Sequence, residues 1–187
     1  MPVGLLLAAG ESRRFGADKR LCLLADGTPM VVASARALRA VLRRVLVVVR
    51  TPDRVADLLA AEGVELVICP AASAGMGQSI ACGVAASRDA DGWLIALGDM
   101  PWVRSGSIAS VAAALTAGAS VARPVHAGKA GHPVGFSAGF GPVLLGLTGD
   151  SGARDLLREG RIEVTEVHSD DPGVLRDVDR PQDLPQR

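Results

Sequence analysis

Three positive charges crowd a glycine-punctuated loop near the start of the chain, Ala9-Gly10-Glu11-Ser12-Arg13-Arg14-Phe15-Gly16-Ala17-Asp18-Lys19, directly after the apolar run Val3 to Ala8. Gly10 and Gly16 free the backbone to bend, so successive N–H groups can converge on an anion while Arg13, Arg14 and Lys19 neutralise it. This is the chemistry of a phosphate cradle. A G-x-x-x-x-G-K-[ST] loop is excluded, because Gly10 and Gly16 lie six apart and Ala17 stands where the lysine should follow. The dinucleotide fingerprint G-x-G-x-x-G fails at Ser12, which makes NAD and FAD poor matches.

A carboxylate at a second position suits a metal. The run Trp93-Leu94-Ile95-Ala96-Leu97 passes straight into Gly98-Asp99-Met100-Pro101, so Asp99 is presented at the end of a buried strand. Buried charges are rare unless paired or metal-bound, and Mg²⁺ takes one or two protein carboxylates and completes its shell with water and substrate phosphates. Asp99 fits that demand, and on the tetrapeptide alone it equally fits a cap on a helix after Pro101. The third stretch, Ala74-Gly75-Met76-Gly77-Gln78-Ser79, has two glycines for close backbone approach and polar side chains able to read a base edge or a ribose. The same spacing also suits a tight turn before a helix.

Alternating strand and helix signals position these loops. Val3 to Ala8 is too short and too uniformly apolar for an amphipathic helix and suits a parallel strand covered on both faces. Pro29 opens a helix to about Ala40, and Arg44 to Val49 is a β-branched central strand. Pro52 opens a second helix, closed by Gly63. Strands are expected at Val64 to Ile68, Trp93 to Leu97, Ala119 to Arg123, Val134 to Phe136 and Ile162 to Val167, with helices at Gln78 to Ala86, Ser105 to Ala117 and Ala153 to Arg158. The alternation predicts a single α/β domain, a doubly wound Rossmann-like fold with a mostly parallel sheet and right-handed crossovers. In such sheets ligands bind outside the carboxyl ends of the strands, so the three loops should face one crevice.

Composition narrows the partners. The 187 residues, about half of them apolar, can bury one full core. Zero formal charge and the absence of Tyr argue against a nucleic-acid partner, which would demand a basic stripe or stacking rings. Eighteen of the twenty basic residues are Arg, and the two Lys, Lys19 and Lys129, both sit in glycine-containing loops. A compact ammonium acts as a point charge where Arg would impose a planar fork, and Lys19 lies inside the cradle. Cys22, Cys69 and Cys82 are odd in number and lack C-x-x-C spacing, which suits reduced thiols in a cytosol and argues against a disulfide framework or zinc. The N-terminal apolar run lacks a basic flank and is far shorter than the roughly 20 residues of a membrane span, so a soluble, cytoplasmic protein is expected, without a membrane partner.

The segment Leu7-Ala8-Ala9-Gly10-x-Ser12-x-Arg14-Phe15-Gly16-x-x-Lys19 resembles the signature loop of the sugar-phosphate and cofactor nucleotidyltransferases. Further on, Gly131-His132-Pro133-Val134, Leu147 to Arg154 and Asp177-Val178-Asp179-Arg180-Pro181-Gln182-Asp183-Leu184 look like the later motifs of the molybdenum-cofactor branch, the MobA-like NTP transferases. The resemblance implies a fold of the nucleotide-diphospho-sugar transferase type. It also implies that Ala8, Ala9, Gly10, Ser12, Arg13, Arg14 and Lys19 wrap a nucleoside triphosphate, with Gly77, Gln78 and Ser79 at its base. Asp99 would hold Mg²⁺ with Asp179 as second ligand, Asp177 being the nearby rival. The Gly75 to Ser79 loop looks like the cytidylyltransferase side, which favours CTP, whereas Asp18-Lys19 is similar to the guanylyl enzymes. His132 is a candidate contact to the pterin or a satisfied structural histidine. Asp150 to Arg154 suits a substrate anion at a helix start or a plain helix cap.

The chemistry implied is attack of a molybdopterin phosphate on the α-phosphorus of CTP, with release of pyrophosphate. A phosphate nucleophile is already ionised at neutral pH, so no general base is needed, and catalysis rests on positioning and charge screening by Arg14, Lys19 and Asp99 with its metal. The alternatives are a guanylyltransferase, a sugar-phosphate nucleotidyltransferase of the same fold, and a non-catalytic nucleotide-binding chaperone for a molybdoenzyme. An NAD-dependent oxidoreductase is disfavoured by the first loop.

Overall fold

The computed structural model describes residues 1–10, 15–150, 152, 156–157 and 162–184. β1 (Val3–Leu7) lies at the middle of the parallel part of the sheet, and its side chains are buried alternately on two faces. Leu5 joins a core with Leu46, Val48, Ile80, Trp93, Ile95 and Phe136, while Leu6 joins Val31, Val47, Leu94 and Ile108 on the other side. Both leucines are fully buried, which is why the strand carries no alternating polar residue.

The chain continues through α1 (Met30–Arg39), β2 (Val45–Val49), α2 (Arg54–Ala60), β3 (Glu65–Ile68), α3 (Met76–Ala85), β4 (Gly92–Leu97) and α4 (Ser105–Thr116). There follow β5 (Val121–His126), β6 (Lys129–Ala130), β7 (Val134–Ser137), α5 (Gly141–Leu145) and β8 (Thr165–His168). The strand order is β3-β2-β1-β4-β7-β5-β6, with β8 paired to β5. Helices α1, α2 and α4 contribute to the core on one face, and α3 and α5 to the core on the other. The sheet is therefore doubly wound, as the alternation predicts. β1 runs parallel to both β2 and β4, which makes the gap between β1 and β4 the point where winding reverses.

Departures from the predicted pattern have local causes. β7 enters antiparallel between β4 and β5, reached through a tight hairpin, Ala127-Gly128, that short-range periodicity does not reveal. The second helix starts at Arg54 rather than at Pro52, because the Asp53 carboxylate accepts the N–H groups of Val55 and Ala56 at 3.0 and 3.1 Å and so caps it. α3 begins at Met76, two residues before Gln78. Of the helix expected at Ala153 to Arg158, Leu156 and Leu157 are helical, and the rest lies outside the described residues.

The cysteine reading is corrected. Cys69 at the end of β3 is joined to Cys82 on α3 by a disulfide, with Cα atoms 6.2 Å apart, and Cys22 is a free thiol. A separation of 13 residues resembles no recognised spacing, but the 3₁₀ turn Pro70–Ala74 folds α3 back over the end of β3 and brings the two together. Among the described residues no helix is long and apolar enough to cross a membrane.

After β8 the described residues return across the sheet end through 3₁₀ turns, with no further strand. The 3₁₀ turn Pro172–Leu175 presses so closely on the loop after β4 that a Cβ on Gly173 would stand 2.1 Å from the Trp102 carbonyl oxygen. Val178 then donates its N–H to the Asp99 carbonyl at 2.9 Å, which lays residues 177–179 beside the end of β4.

Candidate active site

A cavity of about 610 Å³ opens at the winding reversal. Ala8, Ala9 and Gly10 line it from the end of β1, and Gly98 and Asp99 from the end of β4. The connection between β3 and α3 supplies Ala72 to Met76 and Ser79, and Asp150, Asp177 and Asp179 enter from the later segments. Lys19 and Arg20 reach in from the 3₁₀ turn Lys19–Leu21.

Lys19 stands among the acids. Its ammonium donates to Asp99 Oδ2 at 2.7 Å and to the Val178 carbonyl at 2.9 Å, and lies 3.5 Å from Asp179 Oδ1. The lysine side chain is 15% exposed and that of Asp99 23%, so the pair is shielded far more than a surface ion pair. Asp99 Oδ1 is buried with no hydrogen-bond partner among the described residues. A carboxylate oxygen left unmatched beside a second carboxylate has the donor set of a hard divalent cation such as Mg²⁺, and the residues present fit one.

The return segment explains how Asp179 comes to this place. Asp177 and Asp179 both line the cavity, while Val178 between them is fully buried. Asp179 shares the ammonium with Asp99, and Asp177 lines the same cavity. The Asp183 carboxylate accepts the N–H groups of Asp179 and Arg180 at 2.9 and 2.7 Å, which holds the turn that aims Asp179.

Arg20 is a site residue that motif reading does not find. Nε and Nη2 form a two-pronged bond to Asp18, at 2.8 and 2.7 Å, Nη2 also donates to Asp53 at 2.8 Å, and Nη1 donates to the Ala8 carbonyl at 3.0 Å. The guanidinium thus ties the end of β1 to the cap of α2. The Asp18 hydrogen bond raises the Arg20 pKa above the ordinary guanidinium value, with burial opposing. Burial pushes the Asp53 carboxyl up, but the hydrogen bond from the Ala56 N–H and the bond and charge of Arg20 outweigh it and leave the group below its ordinary value. The sequence signals were a basic residue following Asp18-Lys19 and an Asp at a helix start.

The opposite wall is made by the two-glycine stretch. Gly75 has φ +133°, and a Cβ there would stand 2.2 Å from the Gly149 backbone carbon, so this loop and the Gly149-Asp150 turn touch through their main chains. The Gly77 N–H donates to the Gly149 carbonyl at 2.9 Å. Residues 76–79 form the first turn of α3, where Ser79 lines the cavity and Gln78 is half-buried. His132 is placed elsewhere. It lines a small cleft with Ser34, Met100 and Ile108, and its N–H donates to the Val174 carbonyl at 2.9 Å. Lys129 is exposed on β6, away from the cavity. The expected contacts Ser12, Arg13, Arg14 and Arg154 lie outside the described residues.

Comparison with known proteins identifies the cavity's family. The model of the MobA-like NTP transferase domain matches residues 4–165. The chain belongs to this family. It is 33% identical to the purine catabolism protein PucB of Bacillus subtilis, over 97% of this chain and 93% of that protein. It is 29% identical to the nicotine blue oxidoreductase of Paenarthrobacter nicotinovorans, over 94% and 91% of the two chains. Among solved structures, Rv0371c of Mycobacterium tuberculosis superposes with a TM-score of 0.81 at 27% identity, covering 98% of this chain and 95% of that one. Rv0371c has also been solved in complex with manganese, and that form superposes with a TM-score of 0.78 at 26% identity, covering 97% and 94%. The cavity carries backbone glycines, Gly10 and Gly75, and the carboxylates of Asp99, Asp150, Asp177 and Asp179.

Proposed function

We propose that this protein transfers a nucleoside monophosphate, CMP from CTP, to the terminal phosphate of a molybdopterin-type acceptor with release of pyrophosphate. The observation that carries the reading is the meeting of Lys19, Asp99 and Asp179 within 3.5 Å at the mouth of the cavity formed by the Gly10 loop. Asp99 and Asp179 would hold Mg²⁺, which supplies charge screening at the reacting phosphates. Lys19 neutralises the departing phosphates as a mobile point charge, with Arg14 assigned the same task by the signature motif. Ala8 to Gly10 hold the nucleotide against the carboxyl end of β1, and Arg20 keeps that backbone in place through the Ala8 carbonyl. No side chain has to remove a proton, because the attacking phosphate is already ionised.

Support for CTP rests on the Gly75-Met76-Gly77-Gln78-Ser79 stretch. Since the Gly77 N–H is engaged by Gly149 and neither Gly77 nor Gln78 lines the cavity, discrimination of the base falls to Ser79 and residues 72–76. A site shaped for cytosine rejects guanine by steric conflict and by stranding buried polar groups. Support for a molybdopterin acceptor comes from the motifs at 131–134, 147–154 and 177–184, with Asp150, which lines the cavity, as the candidate contact, while His132 in its separate cleft takes the structural role. The test is to incubate the protein with Mg²⁺, molybdopterin and each of the four nucleoside triphosphates, and to follow pyrophosphate. CTP should exceed GTP by at least about 10- to 200-fold. A preference for GTP would overturn the base assignment alone, and absence of pyrophosphate with every triphosphate would overturn the transfer reaction. The name of the Paenarthrobacter relative favours a second reading, a redox enzyme, for which reduced nicotinamide consumption is the matching assay.

A further inference from the structure

We infer that the Cys69–Cys82 disulfide is a redox switch on the cavity wall that faces the base, holding the wall when oxidised and loosening it when a dithiol reduces the bond. The inference rests on the nucleotidyl-transfer reading and adds a control to that same site. The cross-link joins Cys69, just past β3, to Cys82 on α3, and the chain between them is the wall itself. Ala72, Ser73, Ala74, Gly75, Met76 and Ser79 line the cavity, and all six lie inside the loop that the disulfide closes. Both ends of that loop are held without it. The Cys69 N–H donates to the Val49 carbonyl at 2.8 Å, and α3 buries Ile80 and Val84 fully in the core. The stretch between is held far less. Pro70, Ala71, Ser73, Ala74 and Met76 are exposed, Ala72 alone is buried among residues 70–76, and α3 starts without a side-chain cap. The bonds of the turn are local, from the Ala72 N–H to the Cys69 carbonyl and from the Gly75 N–H to the Ala72 carbonyl. With so little apolar burial, the covalent restraint is what removes the loose arrangements of this segment.

Reduction is accessible and reversible here. Cys69 is buried and Cys82 half-buried, so a dithiol attacks the Cys82 sulfur as its thiolate and expels the Cys69 thiolate. Its second thiol then attacks the mixed disulfide. Two electrons and two protons pass to the protein, and the reagent leaves as its own disulfide. The Gln78 carbonyl lies 3.8 Å from Cys69 Sγ, so the buried thiol that forms has an acceptor. Cys69 belongs to the core cluster around Leu5 and Cys82 packs against it, so both thiols stay covered as small apolar groups. What changes is the freedom of residues 70–76, and a nucleotide that needs them ordered binds the reduced protein less tightly. Linkage requires the converse, that nucleotide shift the thiol–disulfide equilibrium toward the disulfide by the same factor.

The experiment measures binding of a non-hydrolysable CTP analogue, with Mg²⁺, to the intact protein by calorimetry, oxidised and after treatment with dithiothreitol, each form first checked for a cooperative melt. Reduction should weaken binding about 5- to 150-fold, the usual range of coupling between two linked events. Inorganic tripolyphosphate has no base and should bind both forms about equally, whereas a general loosening of the fold would weaken both ligands. The Cys69→Ser/Cys82→Ser double variant should bind like the reduced protein and be insensitive to dithiothreitol, and Cys22→Ser should keep the full response. At a fixed ratio of reduced to oxidised dithiothreitol, the analogue should raise the proportion of disulfide to dithiol by the same factor, read by thiol alkylation and mass. Equal affinity of the two forms, a parallel loss for tripolyphosphate, or a response that survives in the double variant would overturn the switch and leave the transfer reading in place. If neither this analogue nor its guanine counterpart binds either form, both fall.

Discussion

Asp99 and Asp171 are two carboxylates brought to the same end of the sheet and treated in opposite ways. Asp171, 4% exposed, accepts the Arg104 N–H at 2.7 Å, the Ser107 hydroxyl at 2.9 Å and the Gly173 N–H at 2.9 Å. It stands at the start of α4, where the unpaired N–H groups and the helix dipole favour a negative charge. Each of its oxygens is occupied by a fixed donor. Asp99 has an ammonium on Oδ2 and, among the described residues, no hydrogen-bond partner on Oδ1, and that ammonium belongs to a flexible side chain. A carboxylate saturated by backbone and hydroxyl groups is a structural element. One whose donors can leave is kept available for chemistry.

The comparison is broken most directly at Asp99. Asp99→Asn preserves shape but removes the charge, and turnover should fall by about 10² or more, the scale of a lost electrostatic contact in a transition state. Its melting temperature should change little. Near-normal pyrophosphate release in that variant would remove Asp99 from the site.

Asp171→Ala should do the reverse. It leaves the Arg104 and Gly173 N–H groups without their acceptor and the Ser107 hydroxyl with Ser169 alone, and should cost about 3 kcal/mol, which for a chain of this size lowers Tm by roughly 6–12 °C. Calorimetry checks the fall, and nucleotide affinity measured well below the melt should stay close to wild type. An unchanged Tm would make the two acids equivalent after all.

A finer division lies within the return segment. Asp179→Ala should raise the metal concentration needed for half-maximal activity about tenfold or more, the value of one charge-assisted contact, and Asp177→Ala should raise it less. The opposite ranking would transfer the role to Asp177.

The smallest effect is the pH dependence of the Arg20 clasp. Asp53 has a folded pKa below its ordinary 3.8, so its contribution is fully present above that value and is lost as pH falls through the lower folded one. Asp53→Asn should therefore melt below wild type at pH 6, and the gap should narrow as the pH drops under 3.8. A gap that stays constant with pH would assign the loss to the helix cap and not to the charge.

Much of this was legible in the residues. The unbroken apolar run of Val3 to Leu7 specified a strand covered on both faces, and the glycine after it specified a loop. Trp93 to Leu97 followed by Gly98-Asp99 likewise put a carboxylate at a strand end. These features depend on periodicity and on the φ freedom of glycine, which act over a few residues and are written in the local order of side chains. Strand order, by contrast, is decided by the simultaneous covering of both sheet faces. That packing alone put Asp179 beside Lys19, bent Arg20 onto Ala8 and Asp53, joined Cys69 to Cys82, turned β7 antiparallel and carried His132 to a separate cleft. No local pattern encodes such meetings, because each is fixed by apolar burial summed over the whole sheet and not by the few residues that meet.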